Sequence, residues 1–247
     1  MKIMGITRII MGVEDLARSF KEAFVYSGQY SQFRGKKHGN SAVGFPGERF
    51  VICAQNHDQI GNRMIGDRLT EKTGLKKLEQ AAVITILSPY LPLLFMGEEY
   101  GETAPFPYFI SHGDDHLLRS IRRGRKHEFK SFAWAGSPPD PDAVSTFESA
   151  KLNWALKDKG GHKDLWLVYQ NLLKIRREVP AFSHLSNHDQ EVTTEDDILI
   201  VRRWCSQGEA MFVVDLSQGK GDMSAVVPKE GWEELLSGDG FGIYEKR

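Results

Sequence analysis

Cysteine is scarce in this chain: 247 residues hold only Cys53 and Cys205, one inside an apolar run and the other beside Trp204. Two such isolated thiols exclude a disulfide framework and predict a reducing compartment, most simply the cytoplasm. Excess charge is lacking too, because 32 Lys+Arg against 33 Asp+Glu leave a formal net charge of −1. With the basic residues dispersed, no electrostatic pull toward a polyanion exists, and nucleic acid is not expected as a partner. The longest charge-free run, Gln80 to Gly97, is interrupted by Pro89 and Pro92. It reads as two buried elements meeting at a turn, not as a membrane span. The N-terminal MKIMGITRIIMGVEDL has too short an apolar stretch for a secretory signal and no small-residue cleavage pattern, so export is not predicted. Serine nucleophile elbows, Walker-type phosphate loops and GxGxxG are all missing, as are fixed-period repeats. Histidine spacing gives no convincing zinc site. The nearest, His112-Gly-Asp-Asp-His116, is equally well explained as a loop entering a helix, so neither metal nor cofactor is expected.

What is present is an ordinary globular composition, 40% hydrophobic with 11% aromatic residues. Val13 to Tyr26 carries apolar residues at helical spacing and predicts an amphipathic helix. Gly28 to Gly47 is rich in Gly, Ser and basic residues and reads as a long loop. Arg49 to Ala54 (RFVICA) is a β-branched and aromatic run that predicts a buried strand. Lys76 to Leu87 follows a helical pattern, and Pro92 to Met96 (PLLFM) is a second short buried run. Strand, helix, strand is the pattern of a βαβ unit. Asp114 to Phe132 predicts a charged helix, and Asp164 to Val179 an amphipathic one stopped by Pro180. Beyond about residue 186 the texture changes to short strands, notably Ile198 to Trp204 and Glu209 to Leu216. That change predicts a small all-β domain.

Both predicted strands end in polar residues. The first delivers Asn56, His57, Asp58 and Gln59, the second Glu98, Glu99 and Tyr100. A carboxylate, an imidazole and two amides suit a hydroxyl-rich ligand, since each sugar hydroxyl both donates and accepts, and Asp58 can stabilise a developing positive charge. A solvated strand-end turn is the plainer alternative. Asn187-His188-Asp189-Gln190 repeats the first tetrapeptide without a buried strand before it, and that copy reads as a solvated loop.

Three stretches, Phe50 to Asn62 (FVICAQNHDQIGN), Leu87 to Gly101 (LSPYLPLLFMGEEYG) and Thr146 to Trp154 (TFESAKLNW), closely resemble the trehalohydrolase branch of the α-amylase family of glycoside hydrolases. The resemblance runs in order from about Glu22 to Phe182. It implies an α/β fold in which the C-terminal portion of a (β/α)8 TIM barrel, residues 1–185, is followed by a small all-β sandwich domain, residues 186–247. It also implies hydrolysis of the α-1,4 bond beside the terminal trehalose of maltooligosyl trehalose, or action on a related α-glucan oligosaccharide. By the same resemblance Asp58 corresponds to the carboxylate that stabilises the oxocarbenium-like transition state, and His57 to the imidazole that binds sugar hydroxyls. Asn56, Gln59, Asn62 and Arg63 belong to the cleft around them, with Glu98, Glu99 and Tyr100 at the end of the eighth strand.

The chain departs from the family pattern where cleavage is concerned. A retaining glycosidase needs a nucleophile and an acid/base carboxyl about 5 to 5.5 Å apart, and neither of the two family motifs that carry them occurs here. About 185 residues precede the β-domain, against the roughly 250 of a whole barrel. The sequence therefore predicts the C-terminal half of such an enzyme, beginning near the sixth barrel helix, with a missing N-terminal half-barrel as a partner. Two further readings stay open at this level. One is a noncatalytic maltooligosaccharide-binding or interaction module, and the other an amylase-like or branching-type enzyme.

Overall fold

The computed structural model describes residues 12–130, 136–217, 221–227 and 230–247. The chain divides into two compact units that interleave along the sequence: Met1–Ile52, Glu79–Leu93 and Val168–Arg247 form the first, Cys53–Leu78 and Leu94–Leu167 the second. The boundary expected near residue 186 thus falls inside the first unit. Among the described residues no helix is long and apolar enough to cross a membrane.

The first unit begins with α1 (Val13–Glu22), which buries Val13, Ala17 and Phe20 at helical spacing. Its first turn carries Glu14 and Asp15 and its last turn Lys21, matching the helix dipole at both ends. It stops short of the predicted Tyr26 because Ala23 takes a left-handed backbone conformation, φ 63°. Inside the predicted loop, β1 (Tyr30–Ser31) and β2 (Lys36–Lys37) pair antiparallel. A 3-10 turn at Gly47–Arg49 leads into β3 (Val51–Ile52).

β3 pairs in parallel with β4 (Leu91–Pro92), Val51 opposite Leu91 and Ile52 opposite Pro92. The intervening chain runs through α2 (His57–Gly61), α3 (Leu69–Thr73) and α4 (Leu75–Ile86), so the predicted parallel crossover is present; α5 (Asp115–Lys130) and α6 (Val144–Ser149) follow in the second unit. Both strands are much shorter than the apolar runs that announce them. Pro92 has no N–H to donate, and the pairing ends with Leu93 N–H donating to Ile52 O at 2.7 Å. Val51, Leu91 and Leu93 remain exposed.

The largest element of this unit is a five-stranded antiparallel sheet in the order β5-β6-β7-β9-β8, comprising β5 (Gln190–Glu195), β6 (Ile198–Cys205), β7 (Gly208–Asp215), β8 (Trp232–Gly238) and β9 (Phe241–Lys246). It matches the all-β texture predicted for the chain terminus. One face carries Leu199, Val201, Phe212 and Ile243 and packs on α1 and on α8 (Pro180–Ser183). Phe212 meets Phe20 at 5.9 Å and Phe182 at 6.3 Å between ring centroids. The opposite face carries Ile198, Met211, Val213 and Tyr244, covered by Met223, Val226 and Trp232. The layer facing the sheet here is a 3-10 turn, Met223–Ala225, and its neighbours. The tetrapeptide read as a solvated loop is in fact partly structural. Asn187 is buried, and Gln190 opens β5 with its side-chain amide donating to Phe20 O at 2.6 Å.

Two arginines close this core. Arg203, 1% exposed, donates to Leu87 O at 2.9 Å and to His184 O. Arg176, on α7 (Gly160–Glu178), donates to Ser88 O at 2.8 Å, to Tyr90 O at 2.6 Å and to Ile86 O. Neither has a carboxylate at ion-pair distance among the described residues. Burial, with like-charged Arg176 nearby, pulls the Arg203 pKa down to about 9. The carbonyls of Ile86, Leu87, Ser88 and Tyr90, at and just beyond the end of α4, are thereby satisfied by cations. Tyr90 is locked in the same region, donating to Phe20 O at 2.7 Å. Replacing Arg203 by Met leaves buried carbonyls without donors, and urea unfolding of Arg203→Met is expected to show a loss of roughly 1–3 kcal/mol. An unchanged midpoint contradicts this account of the core.

Candidate functional site

The predicted site residues lie in the second unit. Directly after β3 the chain passes Cys53 and buried Gln55, whose side-chain oxygen accepts from Leu69 N at 3.2 Å. Asn56 then takes an extended conformation and caps α2, its side-chain oxygen accepting from Gln59 N at 2.8 Å. Polar residues therefore follow an apolar strand because the cap fixes the start of a helix there. His57, Asp58 and Gln59 occupy the first turn of α2 and are exposed. Asn62, one turn on, donates to Asp58 Oδ1 at 3.0 Å, which orients the carboxylate. The helix start favours the negative charge of Asp58.

Arg63 pairs within its own segment. It forks onto Asp67, Nε to Oδ1 and a terminal nitrogen to Oδ2, both at 2.8 Å, and Lys72 reaches Oδ2 at 2.6 Å. Burial acts to raise the Asp67 pKa, but these hydrogen bonds and charges outweigh it and hold the carboxyl below its ordinary range. At Cys53, burial pushes the thiol up, the Asn56 hydrogen bond opposes this, and the nearby Glu98 charge adds to it. That thiol is a poor nucleophile. Its electrostatic coupling to Glu98 and its contact with Asn56 at 3.5 Å join the two predicted clusters.

The second cluster differs from expectation. Glu98 and Tyr100 are buried, and only Glu99 is partly open. They form a 3-10 turn between two left-handed glycines, Gly97 at φ 87° and Gly101 at φ 67°. A methyl at Gly97 would stand 2.7 Å from Glu102 Cβ. Tyr100 donates its hydroxyl to Glu102 at 3.0 Å, and burial together with that carboxylate raises its pKa. Glu98 and Tyr100 are therefore turned into the protein, beneath the loop.

Two buried charged residues that sequence reasoning missed organise this loop. Glu102, fully buried, also accepts from Thr103 N and Ala104 N at 2.8 Å and from Asn153 N at 2.6 Å. Arg68, 1% exposed, donates to Ala104 O at 2.6 Å and Met96 O at 2.8 Å and lies 4.9 Å over the Phe95 ring. Burial lowers the Arg68 pKa while the charge of Glu102 acts to raise it. The one signal available was Glu102 ending the string GEEYGE; nothing marks Arg68 in the sequence. Asn153 brings the TFESAKLNW stretch to the same place, where exposed Trp154 sits 5.9 Å from the Tyr100 ring. Among the described residues no three His, Cys, Asp or Glu side chains converge as a metal site would require.

No protein-family model matches the chain. Among solved structures, a candidate alpha amylase from Salmonella typhimurium is 31% identical with a TM-score of 0.82, covering 95% of this chain and 41% of that one. This chain is thus related in sequence and fold to part of an α-amylase-type glycoside hydrolase. Curated relatives narrow the kinship: they are malto-oligosyltrehalose trehalohydrolases, and the chain is their homologue. The Rhizobium sp. (strain M-11) protein is 40% identical over 193 residues, 76% of this chain and 32% of the relative. The Deinococcus radiodurans protein is 34% identical over 247 residues, 94% of this chain and 41% of the relative. The chain spans less than half the length of these relatives. The resemblance inferred from the three sequence stretches is borne out.

Two measurements check the site architecture. Gly97→Ala is expected to lower unfolding free energy by about 1–3 kcal/mol, because a side chain there is strained at positive φ. Asp67, with its folded pKa below the unfolded value of about 3.9, stabilises the protein above that value and ceases to do so as pH falls through the folded pKa. Urea unfolding from pH 6 to pH 3 is expected to show a smaller acid loss in Asp67→Asn than in the parent chain. Equal losses contradict the Arg63-Asp67-Lys72 assignment.

Proposed function

We infer that this chain is the Asp58-bearing C-terminal part of a trehalose-releasing glycoside hydrolase. The observation that carries the reading is the exposed Asp58, capped and oriented by Asn56 and Asn62 directly after a parallel strand, in a chain homologous to trehalohydrolases. The reaction is hydrolysis of the α-1,4 bond next to the terminal trehalose of maltooligosyl trehalose. As the glycosidic bond breaks, positive charge builds on the anomeric carbon and ring oxygen, and an ionised carboxylate beside them lowers the barrier. Asp58 supplies that charge, while His57 and Gln59 hydrogen-bond the hydroxyls of the same glucose unit. Asn62 holds the carboxylate against rotation, and Glu99 borders the cleft from the loop that Glu102 and Arg68 support.

The nucleophile and the acid/base carboxyl come from outside this chain. Support for that lies in its lack of both cleavage motifs and in the two-stranded parallel pair β3–β4. Parallel sheets are ordinarily covered on both faces, yet Val51, Leu91 and Leu93 are exposed. A (β/α)8 barrel completed by further parallel strands supplies that cover, with residues 1–185 as its last units and 186–247 as the β-domain after it. The absence of the cleavage pair also favours a second reading, a noncatalytic module that binds α-glucan oligosaccharides through the same Asp58 surface.

A chimera decides between them. With this chain substituted for the aligned stretch of the Deinococcus radiodurans relative, the proposed function predicts trehalose release from maltotriosyl trehalose. Asp58→Asn in that chimera is expected to lower turnover by roughly 10²–10³-fold, the scale for loss of one transition-state charge contact. A folded chimera that releases trehalose equally well with and without the Asp58→Asn substitution refutes the assignment.

A further inference from the structure

In the first unit, a groove of about 680 Å³ runs along β5 and β6, within the size range of small-ligand sites. The register places four of its lining residues on one face of the sheet: Glu191 stands opposite Arg202, and Trp204 opposite Glu209. Trp204 is 37% exposed, a large flat ring on a regular strand. Beside it Arg202 donates to Glu209 and lies 3.8 Å from Glu191, while Lys246 reaches Glu209 at 3.1 Å. The hydrogen bond from Arg202 holds the Glu209 carboxyl below its ordinary range. At the sheet edge, Gln190 lines the same groove. Its side-chain nitrogen is bonded, but its side-chain oxygen is buried with no partner among the described residues.

We propose that this groove is an accessory binding site for a neutral α-glucan oligosaccharide, with Trp204 as the stacking platform and Arg202, Glu191 and Glu209 as its hydrogen-bonding rim. The charges around Trp204 cancel, Arg202 and Lys246 against Glu191 and Glu209. Such a surface has no net attraction for an anion or a cation. A pyranose ring matches it, since its C–H face packs on an indole while its hydroxyls both donate and accept around the edge. Fixed ion pairs keep the rim side chains in place before a ligand arrives, which lowers the ordering cost of binding. The choice of an α-glucan rests on the function proposed above; the site itself is separate from Asp58 and lies in the other unit.

The test is titration of the whole chain with maltoheptaose, followed by calorimetry and by the NMR signals of the tryptophan indole N–H groups. Saturable binding that shifts the Trp204 indole signal in the unmutated chain is expected, with Trp204→Ala weakening binding on the order of tenfold. Trp204→Phe, which keeps a ring, is expected to lose less. Binding abolished by Asp58→Asn but untouched by Trp204→Ala overturns the accessory site while leaving the proposed function standing. No saturable binding, or no movement of the Trp204 signal, overturns it as well. Trehalose release by the chimera reports on the proposed function independently of either outcome.

Discussion

Arg176 and Arg203 hold the first unit together through carbonyl groups instead of carboxylates. The carbonyls at the end of α4 and in the turn to β4 point into the core, and two guanidinium groups accept the task of pairing them. A guanidinium presents five donors in a rigid fork, so each arginine satisfies several acceptors that neutral side chains could serve only one at a time. The cost appears in the lowered Arg203 pKa, caused by burial and by its like-charged neighbour. In return β4 is fixed where it pairs with β3, and the sheet is fixed against α8. β3, the strand just before Asp58 in the chain, therefore owes its position to contacts from far along the sequence.

The second unit solves a similar problem with a buried carboxylate. Glu102 gathers three backbone N–H groups and the Tyr100 hydroxyl, while Arg68 binds two carbonyls of the same loop. Between them the GEEYG turn is held in a conformation that two left-handed glycines permit. Rigid support of this kind is what a binding surface needs behind it, because a side chain that touches substrate is only as well placed as the backbone beneath it. Asp58 gains its orientation more locally, from one asparagine before it and one after.

Much of this is legible in the residues. The helices α1, α4 and α7 follow from apolar spacing, and β6 and β7 from their β-branched runs, since local pattern and burial agree there. The polar cluster after RFVICA is legible because a helix cap and a strand end both leave short-range marks. Strand lengths are not, since an apolar run does not say how many of its residues find a partner. The sequence pattern presents Glu98 and Tyr100 as open when they are buried, because burial in a glycine-flanked turn depends on Glu102 and Arg68 arriving from elsewhere. Arg203 carries no mark at all: in a strand reading ILIVRRWC, periodicity places it on the inner face, where a cation is not expected. The absence of a preceding strand assigns Asn187 and Gln190 to solvent, yet Asn187 is buried and Gln190 begins the next one.

In the proposed function this chain holds the stabilising carboxylate of a trehalose-releasing site but not the pair that breaks the bond. Incubating the purified 247-residue chain alone with maltotriosyl trehalose and quantifying free trehalose tests it most directly. No release above the uncatalysed background is expected. Release that disappears in Asp58→Asn contradicts it, because the nucleophile and the acid/base group must then lie within this chain.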